Sequence, residues 1–350
     1  MILRRGSDLR IDLSRNELSH PALDPILARA ITRLQGADFR RYPALKNCVA
    51  VIADRVNLDA QGMILTPGSD SALRLICRYY LSQHQSGTLL LQHPNYFAWE
   101  QSAELIGLKV ERICWSDISF SGRELIEAAR SHDRALIGIS VPNGPVGGCV
   151  SNSELDELVD VVKYRRHLLV IDACYQAFNG KWTECLQRSG EKVLIVQSLS
   201  KSHGLAGARL GLLSGHPDLI EQLASSRLEH AVSGATLLMG CAMLEAPDQF
   251  EIIWDDIKEN RRLAAEQLGF KGLRVLPSGG NFLSFHLGSQ EFALAVQNRI
   301  AAFGYLVKHL TEDKAFSDCL RITIQDQQTT QTAVTQILKA IDECKSPQVS

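Results

Sequence analysis

Between about residues 60 and 240 the sequence alternates short apolar runs with longer segments of helical spacing. Several runs are apolar throughout, as expected for strands of a mainly parallel sheet that helices cover on both faces. Ser69 to Ser82 and Ser153 to Tyr164 have helical spacing, and each begins with a residue type that caps helices. The pattern predicts an α/β fold with strands at Met63-Ile64-Leu65, Thr88-Leu89-Leu90-Leu91, Val110-Glu111-Arg112-Ile113, Ala135-Leu136-Ile137-Gly138-Ile139, Leu168-Leu169-Val170-Ile171 and Val193-Leu194-Ile195-Val196.

After residue 240 the pattern changes to that of a smaller α+β domain. A long charged helix is predicted over Gln249 to Leu268, followed by a pair of strands at 273–276 and 282–285. Another helix, a strand at 320–324 and a final helix complete this part, and the first forty residues are predicted to join it. The predicted division is an N-terminal arm, a large domain and a small C-terminal domain, at residues 1–40, 41–243 and 244–350.

Composition and charge exclude several classes of protein. The chain of 350 residues has a formal net charge of -2, whereas a general nucleic-acid binder usually carries a basic excess. Residues 1–14 contain no long apolar core, so neither a signal peptide nor a membrane anchor is predicted. The nine cysteines include no C-x-x-C pair, and no cysteine or histidine set has the spacing of zinc ligands. We therefore predict a cytoplasmic protein without a metal site or a disulfide framework.

The residues that follow each predicted strand are the candidate functional residues, because open parallel sheets bind ligands beyond the carboxyl ends of their strands. Gly68, Ser69 and Asp70 form a glycine turn that leads into a helix, which suits a phosphate as well as it suits an ordinary helix start. Tyr96 follows the next strand, where its ring is expected either to stack on a planar cofactor or to pack in the core. Asn143 lies in a turn rich in proline and glycine, for which a structural role is the simplest interpretation.

Asp172 ends a strand that is otherwise apolar, and an unpaired carboxylate there is costly to bury. Helix capping is one explanation. A cationic ring nitrogen is a second one, since the ionised carboxylate would keep that nitrogen protonated. Tyr175 follows three residues later and is expected to place its hydroxyl beside the same ring.

Lys201 follows the last of these strands within the segment SLSKSHGLAGARLG. A lysine beside apolar walls and another cation has a lowered pKa and can act as a nucleophile. Ser198, Ser200 and Arg209 offer hydroxyl groups and charge for a phosphate dianion. A single lysine in a loop is usually solvated, but strand ends that together offer a phosphate cup, an aromatic ring, an acid, a phenol and a lysine indicate a functional site.

These residues together resemble the fold-type I enzymes that use pyridoxal 5'-phosphate (PLP), specifically the class I/II aminotransferases and, within them, the histidinol-phosphate aminotransferase subgroup. The resemblance covers nearly the whole chain and implies an aspartate aminotransferase-like large domain with a mainly parallel, seven-stranded type of sheet. The segment around Lys201 is its most specific part. The matching motifs occur in the family's order at 41–43, 66–70, 93–96, 172–175, 198–211, 281–282 and 319–323.

The resemblance also implies a role for each candidate residue. Lys201 would form an imine with PLP and then move protons, Asp172 would pair with the pyridine nitrogen, and Tyr175 would bind the ring phenolate oxygen. Tyr96 would stack on the ring. The residues implied to hold the phosphate are Gly68, Ser69, Asp70, Ser198, Ser200, Arg209 and, from the other subunit of a homodimer, Tyr42. Arg321 would clamp the substrate α-carboxylate, with Asn16 and Asn281 nearby.

Two departures from the family pattern bear on the reaction. Gly144 stands where the family turn has an asparagine that contacts the phenolate oxygen, and Asn143 is the predicted alternative donor. Leu18-Ser19-His20 replaces the family's asparagine-proline-tyrosine, so His20 and Arg15 either face a different substrate or lie on the surface. We predict an aminotransferase acting on an L-amino acid. The alternatives are a lyase, cyclase, decarboxylase or oxidase with the same machinery, and a non-catalytic amino-acid sensor.

Overall fold

The structure is a computed structural model that describes residues 10–84, 86–115, 120–184 and 190–345. The prediction that the chain has no signal peptide or membrane anchor rests partly on residues 1–9, and these lie outside the described residues. None of the described helices is both long enough and apolar enough to span a bilayer.

A seven-stranded sheet forms the centre of the molecule, as predicted. In spatial order its strands are β2 (Met63–Thr66), β8 (Gly211–Gly215), β7 (Val193–Ser198), β6 (Leu168–Asp172), β5 (Leu136–Ser140), β3 (Thr88–His93) and β4 (Lys109–Cys114). All neighbours are parallel except that β8 runs antiparallel to both β2 and β7.

Alternate residues of the central strands contribute to two separate cores, one on each face of the sheet. Leu90 and Ile137 belong to one buried cluster, whereas Leu89 and Leu136 belong to the other. Every residue of β5, β6 and β7 is buried. This burial on both faces explains why these strands are apolar without alternation.

Helices cover both faces of the sheet, and further helices lie in the N-terminal and C-terminal parts of the described chain. Their bounds are α1 (Leu23–Ile31), α2 (Ala37–Arg40), α3 (Leu45–Arg55), α4 (Ser69–Gln83), α5 (Ala98–Glu104), α6 (Arg123–Ser131), α7 (Asn152–Tyr164), α8 (Leu199–Ser202), α9 (Pro217–Ala224), α10 (Gly234–Leu244), α11 (Pro247–Phe270), α12 (Gln290–Ala302) and α13 (Gln327–Lys345). Ser151 caps α7 in a capping box with Glu154. Ser69 does not cap α4, because it is already helical and Gly68 is the N-cap, with no side-chain hydrogen bond.

The C-terminal part contains a three-stranded antiparallel sheet in the order β11 (Lys308–His309), β12 (Cys319–Thr323) and β9 (Phe282–His286). The strand predicted at 273–276 is wrong: this segment makes a single bridge, from Val275 to Phe285. The N-terminal arm reaches this part through β1 (Ile11–Asp12), which pairs with β10 (Tyr305–Leu306). The exact domain boundaries stay a prediction.

Candidate active site

The carboxyl ends of β5, β6 and β7 lie side by side and form one wall of a site. In the sheet register Ser140 lies opposite Asp172, and Asp172 lies opposite Val196. Strand β7 then leads directly into the short helix α8, which carries Lys201. The sheet therefore brings together the strand-end residues that the sequence pattern singles out.

The Asp172 carboxyl group lies at the base of this wall and is 5% exposed. Within the described chain it accepts a hydrogen bond from the Cys174 backbone N–H at 3.1 Å. Burial raises the pKa of Asp172, and the charge of Asp70 raises it further, because both disfavour the carboxylate. A protonated ring nitrogen beside Asp172 would supply the missing positive charge.

Lys201 is held in a position that favours its neutral form. Its Nζ donates a hydrogen bond to the Arg15 carbonyl oxygen at 2.8 Å. Burial lowers the pKa of Lys201 to about 8, with the nearby charges of Arg321 and Arg209 acting in the same direction. An amine with this pKa has a much larger neutral fraction near neutral pH than an ordinary lysine, and the neutral amine is the nucleophile.

An anion cup forms where the α4 N-terminus meets the segment after α8. Gly68 has a φ of 78°, and a Cβ there would lie 2.6 Å from Nη2 of Arg209, so only glycine leaves room for the guanidinium. The same Nη2 lies 3.0 Å from Oδ2 of Asp70. The Tyr96 hydroxyl also hydrogen-bonds to Asp70, and burial together with this carboxylate raises the pKa of Tyr96.

Two serine hydroxyls and a third from α4 complete the cup. Ser198 Oγ accepts a hydrogen bond from the Ser200 backbone N–H at 3.2 Å, and this bond caps α8. The same hydroxyl donates a hydrogen bond to Ser200 Oγ at 2.9 Å. Ser69 is hydrogen-bonded to the Cys174 side chain. Hydroxyl groups, a helix N-terminus and an arginine are the donors that bind a phosphate dianion.

Tyr175 follows Asp172 by three residues and contacts the N-terminal arm. Its hydroxyl oxygen accepts a hydrogen bond from Nδ2 of Asn16 at 2.9 Å. Its ring meets Phe282 edge-on, with the ring centres 5.2 Å apart. A Cβ added at Gly144 would lie 3.1 Å from the Tyr175 ring, so this glycine borders the same ring.

Arg321 reaches the site from β12 with a buried guanidinium group. Its Nη2 donates to the Ser14 carbonyl at 2.9 Å and its Nη1 to the Pro145 carbonyl at 3.4 Å. Its Nε has no hydrogen-bond partner among the described residues, and the group lies 5.2 Å from the Phe282 ring. Burial lowers the pKa of Arg321. The side chain is thus positioned to receive a carboxylate.

Two predicted site residues, Asn143 and Asn281, are hydrogen-bonded within the chain, whereas the contact predicted for Tyr42 is with another subunit and stays a prediction. Both amide hydrogens of Asn143 are engaged, with Pro94 O at 2.9 Å and Gln92 Oε1 at 3.3 Å. Its side chain therefore holds the turn, and the cofactor contact predicted for it is not supported. Asn281 donates to the Asn16 carbonyl at 3.2 Å, and Tyr42 is 81% exposed.

The two N-terminal residues considered as substrate contacts are engaged elsewhere. His20 Nε2 lies 3.3 Å from Oδ2 of Asp256 on α11, and His20 Nδ1 accepts from the Ala22 backbone. The Arg15 guanidinium is more than half exposed and lies 3.5 Å from Asp12. What Arg15 contributes to the site is its carbonyl oxygen, for which no side-chain pattern gives a signal.

One group of potential metal ligands lies among the described residues, although no metal site was predicted. Suitable atoms of His286, Asp318 and Cys319 lie within 4.8 Å of one another. His286 and Cys319 face each other across β9 and β12, and Nδ1 of His286 lies 2.9 Å from Asp318. The distances match an ordinary cross-strand hydrogen-bonded ion pair.

The donor set at the strand ends fits PLP group by group. Lys201 offers an amine for its aldehyde, Asp172 a carboxylate for its ring nitrogen, and the cup around Arg209 suits its phosphate. The α/β sheet with these residues at its strand ends defines a PLP-dependent enzyme.

Comparison with known proteins places the chain more narrowly. The family model for aminotransferases of class I and II matches residues 10–337. A histidinol-phosphate aminotransferase of Pseudomonas syringae pv. syringae (strain B728a) is 31% identical over 299 residues, which cover 82% of this chain and 81% of that protein. The chain belongs to the aminotransferase class I and II family. It is a PLP-dependent aminotransferase of an amino acid, as the sequence predicts.

Solved structures share the fold at lower identity. The histidinol-phosphate aminotransferase from Sinorhizobium meliloti in complex with pyridoxal-5'-phosphate superposes with a TM-score of 0.83 at 18% identity, over 95% of this chain and 91% of that one. The L-threonine-O-3-phosphate decarboxylase from Porphyromonas gingivalis gives 0.78 at 17% identity, over 95% and 99%. These likenesses show the fold, which is shared by enzymes named for two different reactions.

Proposed function

We propose that the protein transfers an amino group between an L-α-amino acid and a keto acid, and that Arg321 binds the α-carboxylate. The observation that carries this proposal is the buried guanidinium of Arg321, whose two hydrogen bonds go to backbone carbonyl oxygens and whose Nε has no hydrogen-bond partner among the described residues. A bidentate carboxylate is the preferred partner of such a group. Tyr175 and Lys201 lie within the range of its charge, so a carboxylate bound there brings the substrate Cα to Lys201.

Asp172 and Lys201 are proposed to have different roles in the reaction. When bound, PLP supplies an aldehyde that reacts with amines and a ring that withdraws electrons from the substrate Cα. Asp172 keeps the proton on the ring nitrogen by pairing with it. Lys201 Nζ, neutral above its lowered pKa, accepts the proton from the substrate Cα and later returns a proton to complete the transfer.

Contacts to the phosphate and to the ring face of bound PLP would keep the reacting atoms in position. We propose that Arg209, Ser198 and Ser200 hold the phosphate together with the backbone N–H groups of the turn at Gly68. Tyr96 is proposed to lie on the ring face, with its hydroxyl bonded to Asp70. Such positioning lowers the entropic part of the barrier.

A panel of amino acids added to the holoenzyme tests the proposed reaction. We expect some of them to convert bound PLP into the pyridoxamine form, seen by absorbance, and we expect 2-oxoglutarate to reverse the change. Release of CO₂, ammonia or water without any pyridoxamine form would contradict transamination and support the decarboxylase or lyase alternative. The glycine at position 144 favours this alternative, because it places no side chain against the neighbouring Tyr175 ring.

The lowered pKa of Lys201 predicts how PLP binding depends on pH. The reactive neutral amine increases as the pH rises through about 8. We therefore expect the apoprotein to incorporate PLP slowly at pH 6, faster as the pH approaches 8, and at a constant rate well above it. Stopped-flow absorbance after mixing with PLP measures this rate. An apparent pKa near the ordinary lysine value of about 10.4 would contradict the expectation.

The raised pKa of Asp172 predicts opposite effects on stability and activity. Because the folded-state pKa lies above the ordinary value, the apoprotein loses stability as the pH rises from the ordinary pKa to the folded one, and the full loss persists at higher pH. Asp172→Asn removes the buried charge. We expect a higher Tm for the variant apoprotein at pH 8, a difference that shrinks in acid, and a turnover about 10²-fold lower.

Thermal unfolding of the apoproteins and steady-state rates of the holoenzymes measure these two effects. Asp133→Asn is the matched control, because Asp133 is a surface carboxylate paired with Arg165. An apoprotein destabilised by Asp172→Asn at pH 8 would mean that a protein group already compensates the charge.

We propose further that the enzyme is a homodimer in which Tyr42 of each subunit reaches the phosphate of the other. Tyr42 is 81% exposed, Phe39 is 69% exposed, and the Tyr42 ring packs on His230 with centres 4.5 Å apart. Exposed aromatic groups at one place are typical of an interface. A monomeric mass in solution would contradict this. A cytoplasmic location is proposed from the cysteines, since those described are all free.

A further inference from the structure

Asn16 is held in an unusual backbone conformation inside the protein. It is 1% exposed and has a φ of 55°, in the left-handed region that few residues other than glycine adopt. Its backbone N–H donates to Oγ1 of Thr323 at 2.9 Å, and its carbonyl accepts from Nδ2 of Asn281 at 3.2 Å. These contacts to the C-terminal part fix the direction of the Asn16 side chain.

The side chain of Asn16 uses this direction to bind Tyr175. Its Nδ2 donates to the Tyr175 hydroxyl oxygen at 2.9 Å, and its Oδ1 lies 3.4 Å from Oγ1 of Thr323, which orients the amide. A phenol has a single hydrogen to donate. Because Asn16 occupies a lone pair of the oxygen, the hydroxyl hydrogen of Tyr175 must point away from Asn16.

The side of Tyr175 that borders residue 144 offers no competing side chain. A Cβ at Gly144 would lie 3.7 Å from the Tyr175 hydroxyl oxygen and 3.1 Å from its ring, but glycine has none. The other groups around Tyr175 act through charge or packing: Arg321 lowers its pKa, Asp172 and Cys174 raise it, and Phe282 packs edge-on. Of these neighbours, Asn16 is the one with a side-chain donor on the hydroxyl oxygen.

We propose that Asn16 is a positioning residue that turns the Tyr175 hydroxyl hydrogen into the cofactor site, so that Tyr175 donates to the phenolate oxygen of bound PLP. The inference rests on the proposed function in requiring PLP at this site. In this role Asn16 affects the charge on the PLP phenolate oxygen through Tyr175, whereas the sequence predicted a contact between Asn16 and the substrate. A donor at the phenolate oxygen stabilises its negative charge, and this favours the unprotonated form of the nitrogen that links Lys201 to PLP.

The test is a pH titration of the absorbance of bound PLP in three variants. Asn16→Gly removes the donor and tolerates the positive φ, and Asn16→Asp keeps the shape but presents an acceptor that draws the Tyr175 hydrogen away from the ring. We expect the titration midpoint to rise by about 0.5 to 1 pH unit in Asn16→Gly, the size of one hydrogen bond, and further in Asn16→Asp. Tyr175→Phe should raise it at least as much as Asn16→Gly does.

A double variant separates this role from a general structural one. In the Tyr175→Phe background, Asn16→Gly should cause no further shift, because the hydroxyl that it orients is gone. Asn57→Gly and Asn57→Asp are matched controls, since Asn57 has the same φ of 55° but is exposed, and neither should move the midpoint. PLP affinity measured on each apoprotein should change little.

Wild-type midpoints in both Asn16 variants, with normal PLP binding, would overturn the role of Asn16 and leave the proposed function standing. An equal shift from Asn16→Gly with and without the Tyr175 hydroxyl would overturn it as well, since Asn16 would then act by another route. Failure of the wild-type protein to bind PLP at Lys201 would remove the proposed function together with this inference.

Discussion

Replacing Lys201 by alanine is expected to lower the turnover of any amino acid by about 10² to 10⁴-fold, the range that a positioned proton-transfer group contributes. The variant loses the amine whose pKa is lowered to about 8 by burial and by the nearby charge of Arg321. Initial rates of keto-acid formation at saturating substrate and PLP measure the effect.

Lys192 provides a matched control for this loss. Like Lys201, it donates from Nζ to a backbone carbonyl at 2.8 Å, here that of Arg165, but it precedes β7 and so lies at the opposite end of that strand from the site. Lys192→Ala should therefore keep wild-type turnover. Full activity in Lys201→Ala would refute the assignment of the site, whereas loss of activity in both variants would indicate a general effect of lysine removal.

Replacing Arg321 by alanine is expected to lower kcat/KM for amino acids by about 30- to 3000-fold. Truncating one partner of a buried, hydrogen-bonded charge pair typically costs about 2–5 kcal/mol, and each 1.4 kcal/mol is a factor of ten. Arg321→Lys should recover only part of this loss, because an ammonium cannot bind both carboxylate oxygens in the planar arrangement of a guanidinium. Steady-state kinetics over a range of substrate concentrations measures the change.

Two controls show whether the loss comes from the carboxylate. An amine without an α-carboxylate should react as slowly with wild type as with Arg321→Ala, since neither protein can make the pair. Arg299→Ala, which removes an arginine paired with Glu343 on the surface, should leave kcat/KM unchanged. If Arg321→Ala discriminates against the carboxylate-free amine as strongly as wild type does, Arg321 is not the carboxylate ligand.

The large sheet could be predicted because its central strands are buried on both faces and so are recognisable by local composition. The errors occur where local composition is ambiguous. The segment 273–276 has the apolar content of a strand but forms only the bridge from Val275 to Phe285. Strand β8 is short, begins and ends with glycine, and was not predicted, although it pairs with two neighbours in the sheet.

The site residues also include some that local sequence could locate and some that it could not. Asp172, Lys201 and the serines beside it could be located because they directly follow strands that are adjacent in the sheet. The direction of a side chain within a turn could not be predicted. Asn143 was predicted to contact the cofactor, yet its amide is bound to Pro94 and Gln92. Asn16 was assigned to the substrate, yet its amide is bound to Tyr175.

By itself the sequence determined the α/β sheet and the strand-end residues, because periodicity and strand-end position are local properties of a chain. The resemblance of its motifs to the fold-type I enzymes added the PLP chemistry. Only the tertiary structure decided how the N-terminal arm completes the site. Arg15 supplies the carbonyl that holds Lys201 from 186 residues away, and Asn16 holds the Tyr175 hydroxyl from 159 residues away. Contacts of this kind depend on packing between distant segments, and no local pattern encodes them.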